Sequence, residues 1–462
     1  MEENQINIEN ENIKAEDEEF SNDVFVNIND EIAPEKDESK FCLNFKNKNS
    51  FIDILNICAS AFGSGCLSLP YSLQSIGIFN SLLVFIFISL CIYYSLDLLR
   101  RFVVETKYYS FSLMTKLVLG KKWLIVYAIA SSILYLIYIT NYLNICYSIF
   151  QTVFKDDNDK SMRYIFGILY ILITYAIEVF LCLFTRNKKR IHLISISIII
   201  VFSIFIISII IGGIKGIIDF GDKKFESKNF FNPFSDKNAL ITFNYFINSS
   251  LMYIYSFLYH STFPTFLGNA NLSGDNSKKI NIISFCIICG TYLIISFFGY
   301  LLKEKVPYQL LLEEMKEKNT ILKIIAFIYL FGLIPLRFIT IRDGYECLIG
   351  EKKFNYKIDI ILTLICLFIA NLIIFFNQVT LKEGRENIYN NNELGNFLNM
   401  FASLLGVIIA FLLPSINYAA INGKTKKKSI IGFIISAFFI ILGIIASIFS
   451  FFSFEDMENT NA

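Results

Sequence analysis

An all-α integral membrane protein with eleven transmembrane helices is the fold this sequence predicts, on three observations. Apolar runs of about 20 residues, the length needed to cross the hydrocarbon core, recur along the 462 residues, 55% of which are hydrophobic. Short loops rich in Lys and Arg alternate with loops of mixed sign, the pattern of a chain that crosses repeatedly and keeps its positive loops on one side. Glycine and proline interrupt two of the apolar runs. In hydrocarbon such breaks are tolerated only where the freed N–H and C=O groups line a cavity or bind something.

The runs fall at 51–77, 80–99, 123–150, 163–184, 191–214, 239–267, 281–302, 321–341, 358–376, 396–418 and 429–453, here spans 1 to 11. Residues 1–40 differ, with fourteen Asp and Glu, three Lys and few large apolar side chains. They cannot bury enough surface to fold alone, so residues 1–45 are expected to form a disordered acidic tail. No cleavable signal peptide is expected ahead of span 1, because the N-terminus is acidic and polar.

Loop charge sets the orientation. Arg100, Arg101, Lys107, Lys116, Lys121 and Lys122 follow span 2, and Arg186, Lys188, Lys189 and Arg190 follow span 4. Lys278 and Lys279, then Arg342, Lys352, Lys353 and Lys357, then Lys424, Lys426, Lys427 and Lys428 occupy the later loops of the same parity. The opposite loops mix signs, as in 155–160 and 313–318, and the tail at 455–462 is acidic. Positive loops stay cytosolic, which puts the N-terminus in the cytosol and the C-terminus outside it.

Eight cysteines lie in spans (Cys58, Cys66, Cys91, Cys146, Cys182, Cys286, Cys289, Cys366), while Cys42 and Cys347 lie on the cytosolic side. None falls in an outer loop, so no structural disulfide is expected. Cys286-x-x-Cys289 has metal-like spacing but no second pair or nearby histidine, and reads as packing.

Span 1 carries the most informative motif. Asn56 to Phe62 leads into Gly63-Ser64-Gly65-Cys66-Leu67-Ser68-Leu69-Pro70-Tyr71. The expected geometry is a half-helix to about residue 62, an unwound turn, and a second half-helix from near Cys66. The free N–H groups and positive dipole end of that second half suit a carboxylate. Ser64 and Ser68 add hydroxyl donors. The competing reading is close helix packing on small residues. Span 6 has the densest polar content: Asn244, Asn248, Ser249, Ser250, Tyr253, Tyr255, Ser256, Tyr259, His260, Ser261 and Thr262. Pro264 removes a donor and disturbs the helix about a turn earlier, near His260. Interruptions five helices apart are the trace of a five-plus-five inverted repeat with span 11 appended.

The stretch 63–77 resembles the span-1 signature of the amino acid/auxin permease family, G-x-G-[IL]-L-[AG]-L-P-[YW]-A-x with a later glycine (Gly77 here). Tyr259-His260-Ser261-Thr262-Phe263-Pro264 resembles its span-6 pattern of His or Gln four residues before Pro, and Ile334-Pro335-Leu336-Arg337 its span-8 F-P-[IV]-R. The resemblance covers about residues 45–453. It implies a LeuT-type transporter domain at 46–454, similar to vacuolar and neutral amino acid transporters, that moves amino acids by alternating access. By position it implies that the backbone at Phe62, Gly63, Ser64 and Gly65 holds the α-carboxylate. Ser256, Phe257 and His260 would contact the amino group or side chain, and Tyr135, Tyr138, Asn141 and Tyr142 would close the pocket.

The coupling ion is H⁺ or Na⁺, or there is none. Sodium-coupled members pair a span-1 asparagine, here Asn56, with span-8 oxygens. The turn before Pro335 reads Ile328-Tyr329-Leu330-Phe331-Gly332 and offers no hydroxyl from Ser or Thr, so proton-coupled or facilitated movement is favoured. Charges inside spans are functional hypotheses by default. Asp97 and Arg100 read as boundary residues, and Glu178 and Arg337 as deeper, about a turn and a half from the cytosolic ends of spans 4 and 8. A Glu178–Arg337 or Asp97–Arg337 bridge is the structural expectation for them, with Glu178 as the alternative proton carrier. His260, with an unperturbed pKa near 6.5, is the other proton-coupling candidate. His192 reads as interfacial.

The expected partners are a neutral amino acid, the coupling ion and the bilayer, with no nucleic acid, no cofactor and no metal. The expected location is the plasma membrane or a vacuolar or lysosome-like membrane. Two alternatives stand beside transport. One is an amino acid-sensing receptor of transporter fold. The other is an intramembrane acyltransferase-like enzyme built on His260 and Asn248, against which stand the missing acid–base partners.

Overall fold

The computed structural model describes residues 48–153, 160–225, 239–267, 274–302, 320–350, 354–376, 404–423 and 426–459. The acidic tail, Cys42, most of both mixed-charge loops and the first residues of span 10 lie outside the described residues. All regular structure among the described residues is helical. The elements are α1 (Lys48–Ala61), a 3₁₀ turn (Ser64–Ser68), α2 (Leu69–Ile76), α3 (Ile78–Thr106), α4 (Phe111–Leu119), α5 (Lys121–Val153), α6 (Lys160–Phe184) and α7 (Lys188–Lys224). They continue with α8 (Ala239–Ser256), α9 (Phe263–Leu267), α10 (Gly274–Leu301), α11 (Thr320–Ile349), α12 (Tyr356–Phe375), a π turn (Ile408–Leu412), α13 (Leu413–Asn422) and α14 (Lys427–Asn459).

Nine helical stretches among the described residues are long and apolar enough to cross a membrane, and the bent pair Ser50–Ala61 and Gly65–Ile76 makes a tenth if counted as one span. The remaining apolar run, 239–267, is helical as α8 and α9 with turns between them. The core is organised around α5 and α11, which make the most extensive helix pairing. The outer helices show why an all-apolar sequence still has an inside. On α7, Ile200, Ile204, Ile207 and Ile211 form an exposed stripe at helical spacing, while Ile198, Phe202, Phe205 and Ile209 are buried. Both faces are apolar because one meets protein and the other meets lipid.

Several helices outrun their hydropathy, α3 and α11 among them. Spans 2 and 8 end at residues 99 and 341 by hydropathy, just ahead of Arg100 and Arg342, yet α3 continues to Thr106 and α11 to Ile349. The charges are absorbed by one another. Asp97 accepts from Arg100 at 2.7 Å and Arg101 at 2.8 Å, with Lys428 of α14 4.0 Å away. Arg100 also reaches Ser277 Oγ of α10 at 3.2 Å. Arg342, expected in a loop, is instead buried in α11, where its Nε donates to Asp359 of α12 at 2.8 Å and its Nη2 to Cys182 O of α6 at 2.9 Å. Asp343 accepts from the hydroxyls of Ser110 and Ser112 at 2.9 and 2.8 Å, which fixes the start of α4 against α11. The helix ends that carry the basic loops are thus joined to one another.

The bridges expected for Arg337 do not form. Asp97 is engaged as above, and Glu178 accepts from Asn371 Nδ2 of α12 at 2.9 Å. The longer α11 moves Arg337 away from the helix end and into the centre of the protein.

Candidate functional site

The span-1 break follows from Gly63. Helix α1 is regular up to the bond from Phe62 N–H to Cys58 O at 3.0 Å. Gly63 is extended, with φ −136° and ψ −175°. The chain then re-enters a helix through the 3₁₀ turn, with Cys66 N–H on Gly63 O at 3.3 Å, and becomes α-helical at Leu69 with Pro70 in the first turn. The amides of Gly63, Ser64 and Gly65 are therefore the first N–H groups of a new helix, which intrahelical bonding leaves without acceptors. Three successive amides at the positive end of a helix are of the kind that can seat an anion. The two halves meet at 55°.

The span-6 break lies opposite. After Ser256 the backbone tightens: Phe257 N–H is shared between Tyr253 O and Ile254 O, and Tyr259 N–H bonds Phe257 O at 3.0 Å. Pro264, lacking an N–H, sits in the first turn of α9. The freed carbonyls are taken by side chains from other helices. The Tyr292 hydroxyl of α10 stands 2.6 Å from Ser256 O and 2.8 Å from Ala61 O, so one proton is shared between the two breaks. Arg337 Nη1 of α11 donates to Leu258 O at 3.2 Å.

Arg337 stands between the breaks. Its Nε donates to Tyr142 Oη at 3.0 Å, and its guanidinium lies over the Tyr138 ring at 5.1 Å. A Cβ added at Gly63 would come within 2.8 Å of Arg337 Nη2 and of Tyr142 Oη. A Cβ at Gly65 would meet Tyr255 Cδ1 at 2.8 Å and Ser256 Cα at 2.9 Å. Gly65 is thus required by close approach to the backbone of the other broken helix, whereas Gly63 faces the ends of two long side chains, one of them a cation. Tyr255 stacks on Tyr138 at 4.6 Å and takes a long 3.5 Å bond from Asn141 Nδ2. Tyr138 Oη is buried with no partner among the described residues.

Of the residues singled out in the sequence, Gly63, Gly65, Tyr138, Asn141 and Ser256 gather in this cluster, with Tyr135 and Tyr142 beside them. The Ser64 side chain lies outside the described residues. Ser68 is half-buried in the 3₁₀ turn. Phe62 packs on Phe202 at 4.5 Å, and Phe257 packs among Phe85, Phe285 and Tyr292. His260 is fully buried, with ring neighbours Tyr259 and Phe411 and neither nitrogen hydrogen-bonded among the described residues. Asn56 donates to His192 Nδ1 at 2.7 Å, so His192 ties α7 to α1 rather than sitting only at an interface. Glu178 is buried between α6 and α12.

Three participants were missed. Arg337 was misplaced by the short estimate of span 8. Tyr255 was only one polar residue among many in span 6, and Tyr292 carries no motif at all. The Tyr292 bridge makes a direct prediction. Tyr292→Phe leaves two buried carbonyls short of a donor, costing about 1–3 kcal/mol. Thermal unfolding in detergent should fall accordingly, and an unchanged midpoint would deny the bridge.

A helical chain with many membrane-spanning stretches and a polar centre built on interrupted helices belongs to the class of multi-pass membrane transporters. It matches the family model described as transmembrane amino acid transporter protein over residues 47–381, more than half its length, and belongs to that family. The matched stretch includes both breaks and Arg337. No curated protein matches the chain.

Proposed function

We propose that this protein carries neutral amino acids across a membrane by alternating access, with the α-carboxylate seated on the Gly63, Ser64 and Gly65 amides. The observation that carries the reading is the pair of facing breaks. Their freed carbonyls are held by Tyr292 and Arg337, while the three amides are left for a ligand. Phe62, Ser68, Tyr138, Asn141, Ser256 and Phe257 complete the proposed surround, and His260 reaches the site only through the span-6 turn. The architecture we infer is eleven spans as a LeuT-type five-plus-five repeat plus one. The N-terminus is cytosolic and the C-terminus extracytosolic, in a plasma or vacuolar or lysosome-like membrane.

Proton coupling or facilitated movement fits better than sodium. Hard cations take several oxygen ligands; Asn56 Nδ2 is engaged by His192 and its Oδ1 is unbonded among the described residues, but the turn before Pro335 has no Ser or Thr hydroxyl to join it. His260 and Glu178, each with an unpartnered buried atom among the described residues, are the groups proposed to take a proton.

Uptake of a radiolabelled amino acid mixture into proteoliposomes, with and without an inward proton gradient, tests this. Accumulation above empty liposomes that rises with the gradient is expected. Gradient-independent uptake leaves a facilitator and removes the proton role of His260 and Glu178. Folded protein with no uptake of any amino acid overturns the reading.

A further inference from the structure

We infer that Arg337 is the counter-charge of the transported substrate: its free guanidinium edge and the Gly63–Gly65 amides form a two-sided clamp for one carboxylate. The inference rests on the transport reading for the identity of the anion, but not for the presence of an anion seat.

Arg337 is 3% exposed, and a guanidinium stays charged in a protein. Its neighbours are all neutral: Tyr142 Oη on Nε, Leu258 O on Nη1 and the Tyr138 ring beneath. No described carboxylate lies within ion-pair distance of it. Asp97, Asp359 and Asp343 are satisfied elsewhere by Arg100 and Arg101, by Arg342, and by Ser110 and Ser112. Glu178 faces Asn371. The same helix offers its own comparison, since Arg342, five residues further on, is also buried and has Asp359. Among the described residues, one arginine has an acid and the other has none.

A buried charge without a partner is costly, and such residues inside spans mark substrate paths. The position of Arg337 names the missing partner. Nη2 makes no hydrogen bond among the described residues and points at Gly63, where the three amides begin. The unpartnered Tyr138 Oη adds a third polar group from the face beneath the guanidinium. A carboxylate can take bonds from a planar N–H pair and from backbone amides together. Arg337 also grips Leu258 O, so the bound carboxylate would link the span-1 break, through α11, to the span-6 break.

The test compares binding of L-amino acids, their carboxamides and the matching monocarboxylic acids to the full-length protein in detergent, read by thermal stabilisation. In the wild type, an amino acid should bind about 10- to 100-fold more tightly than its amide, the worth of a hydrogen bond to a charged group. Arg337→Gln should lower that ratio to the part the three amides sustain, and Arg337→Lys, which keeps the charge, should retain most of it. Equal binding of acid and amide by the wild type overturns the inference. So does an unchanged ratio in Arg337→Gln, since a merely structural arginine would weaken both ligands alike. If Arg337→Gln does not fold, the wild-type ratio and Arg337→Lys decide. Binding of monocarboxylates without amino acids upholds the anion seat and overturns the amino acid reading. Binding of none of the three classes by folded protein overturns both.

Discussion

Gly65→Val is expected to abolish uptake while leaving a folded protein. A single added Cβ at residue 65 already meets Ser256 Cα at 2.9 Å, and a backbone atom cannot rotate out of the way. The Cβ also meets Tyr255 Cδ1 at 2.8 Å, and Tyr255 is the ring that stacks on Tyr138. Valine therefore has to separate the two broken helices at the point where the carboxylate is proposed to sit. Overpacking of this kind costs about 1–3 kcal/mol, equivalent to about 5- to 150-fold in affinity if borne by the site. Loss of the ordered amide trio would add to that. Gly65→Ala, carrying the Cβ alone, should retain part of the activity. The measurement is initial uptake rate per folded molecule in proteoliposomes, with size-exclusion behaviour as the check on folding. A Gly65→Val protein that folds and transports at the wild-type rate would remove the site from the helix break.

Both breaks were legible in the sequence because glycine and proline act locally. An extended Gly63 and a donor-less Pro264 disturb the helix within a turn of themselves, whatever surrounds them. The break falls at residues 62–63 as expected, although the second half starts as a 3₁₀ turn and becomes α-helical only at Leu69. What the sequence could not give is the rotation of one helix against another. Tyr255, Ser256 and Phe257 are consecutive, but only the packed structure shows Tyr255 on Tyr138 and Phe257 turned towards Phe85 and Phe285.

Arg337 was hidden for a different reason. Hydropathy ends a span where charges gather, and a limit at 341 leaves Arg337 within about a turn and a half of it. The helix runs on to Ile349 because Arg342 is neutralised by an acid 17 residues away on α12. Pairing between helices is invisible to a window along one chain, and it decides how deep every neighbouring residue lies. The anchoring pair and the unpaired arginine are thus two consequences of the same packing: Asp359 holds the end of α11, and that places Arg337 opposite Gly63.

Asp359→Asn is accordingly expected to be among the most destabilising single changes in the protein. Asp359 is fully buried, with Arg342 Nε 2.8 Å from one oxygen, while Arg186, one-third exposed, stands 3.8 Å from the other. Removing the negative charge leaves the buried Arg342 with neutral groups alone, the new amide oxygen, Cys182 O and the Phe338 ring, for compensation. Breaking a buried pair from one side costs about 3–5 kcal/mol, whereas replacing both partners by apolar groups of similar volume is often neutral or stabilising. Arg342→Met with Asp359→Leu should therefore recover most of the stability lost by Asp359→Asn, since Cys182 O also accepts from Thr185 Oγ1 at 2.8 Å. Thermal unfolding of the three detergent-solubilised proteins measures this. A single variant as stable as the wild type would mean that the pair carries no net charge interaction. The double variant also separates anchoring from recognition. With α11 held by apolar packing and Arg337 untouched, the preference for a carboxylate over its amide should be unchanged.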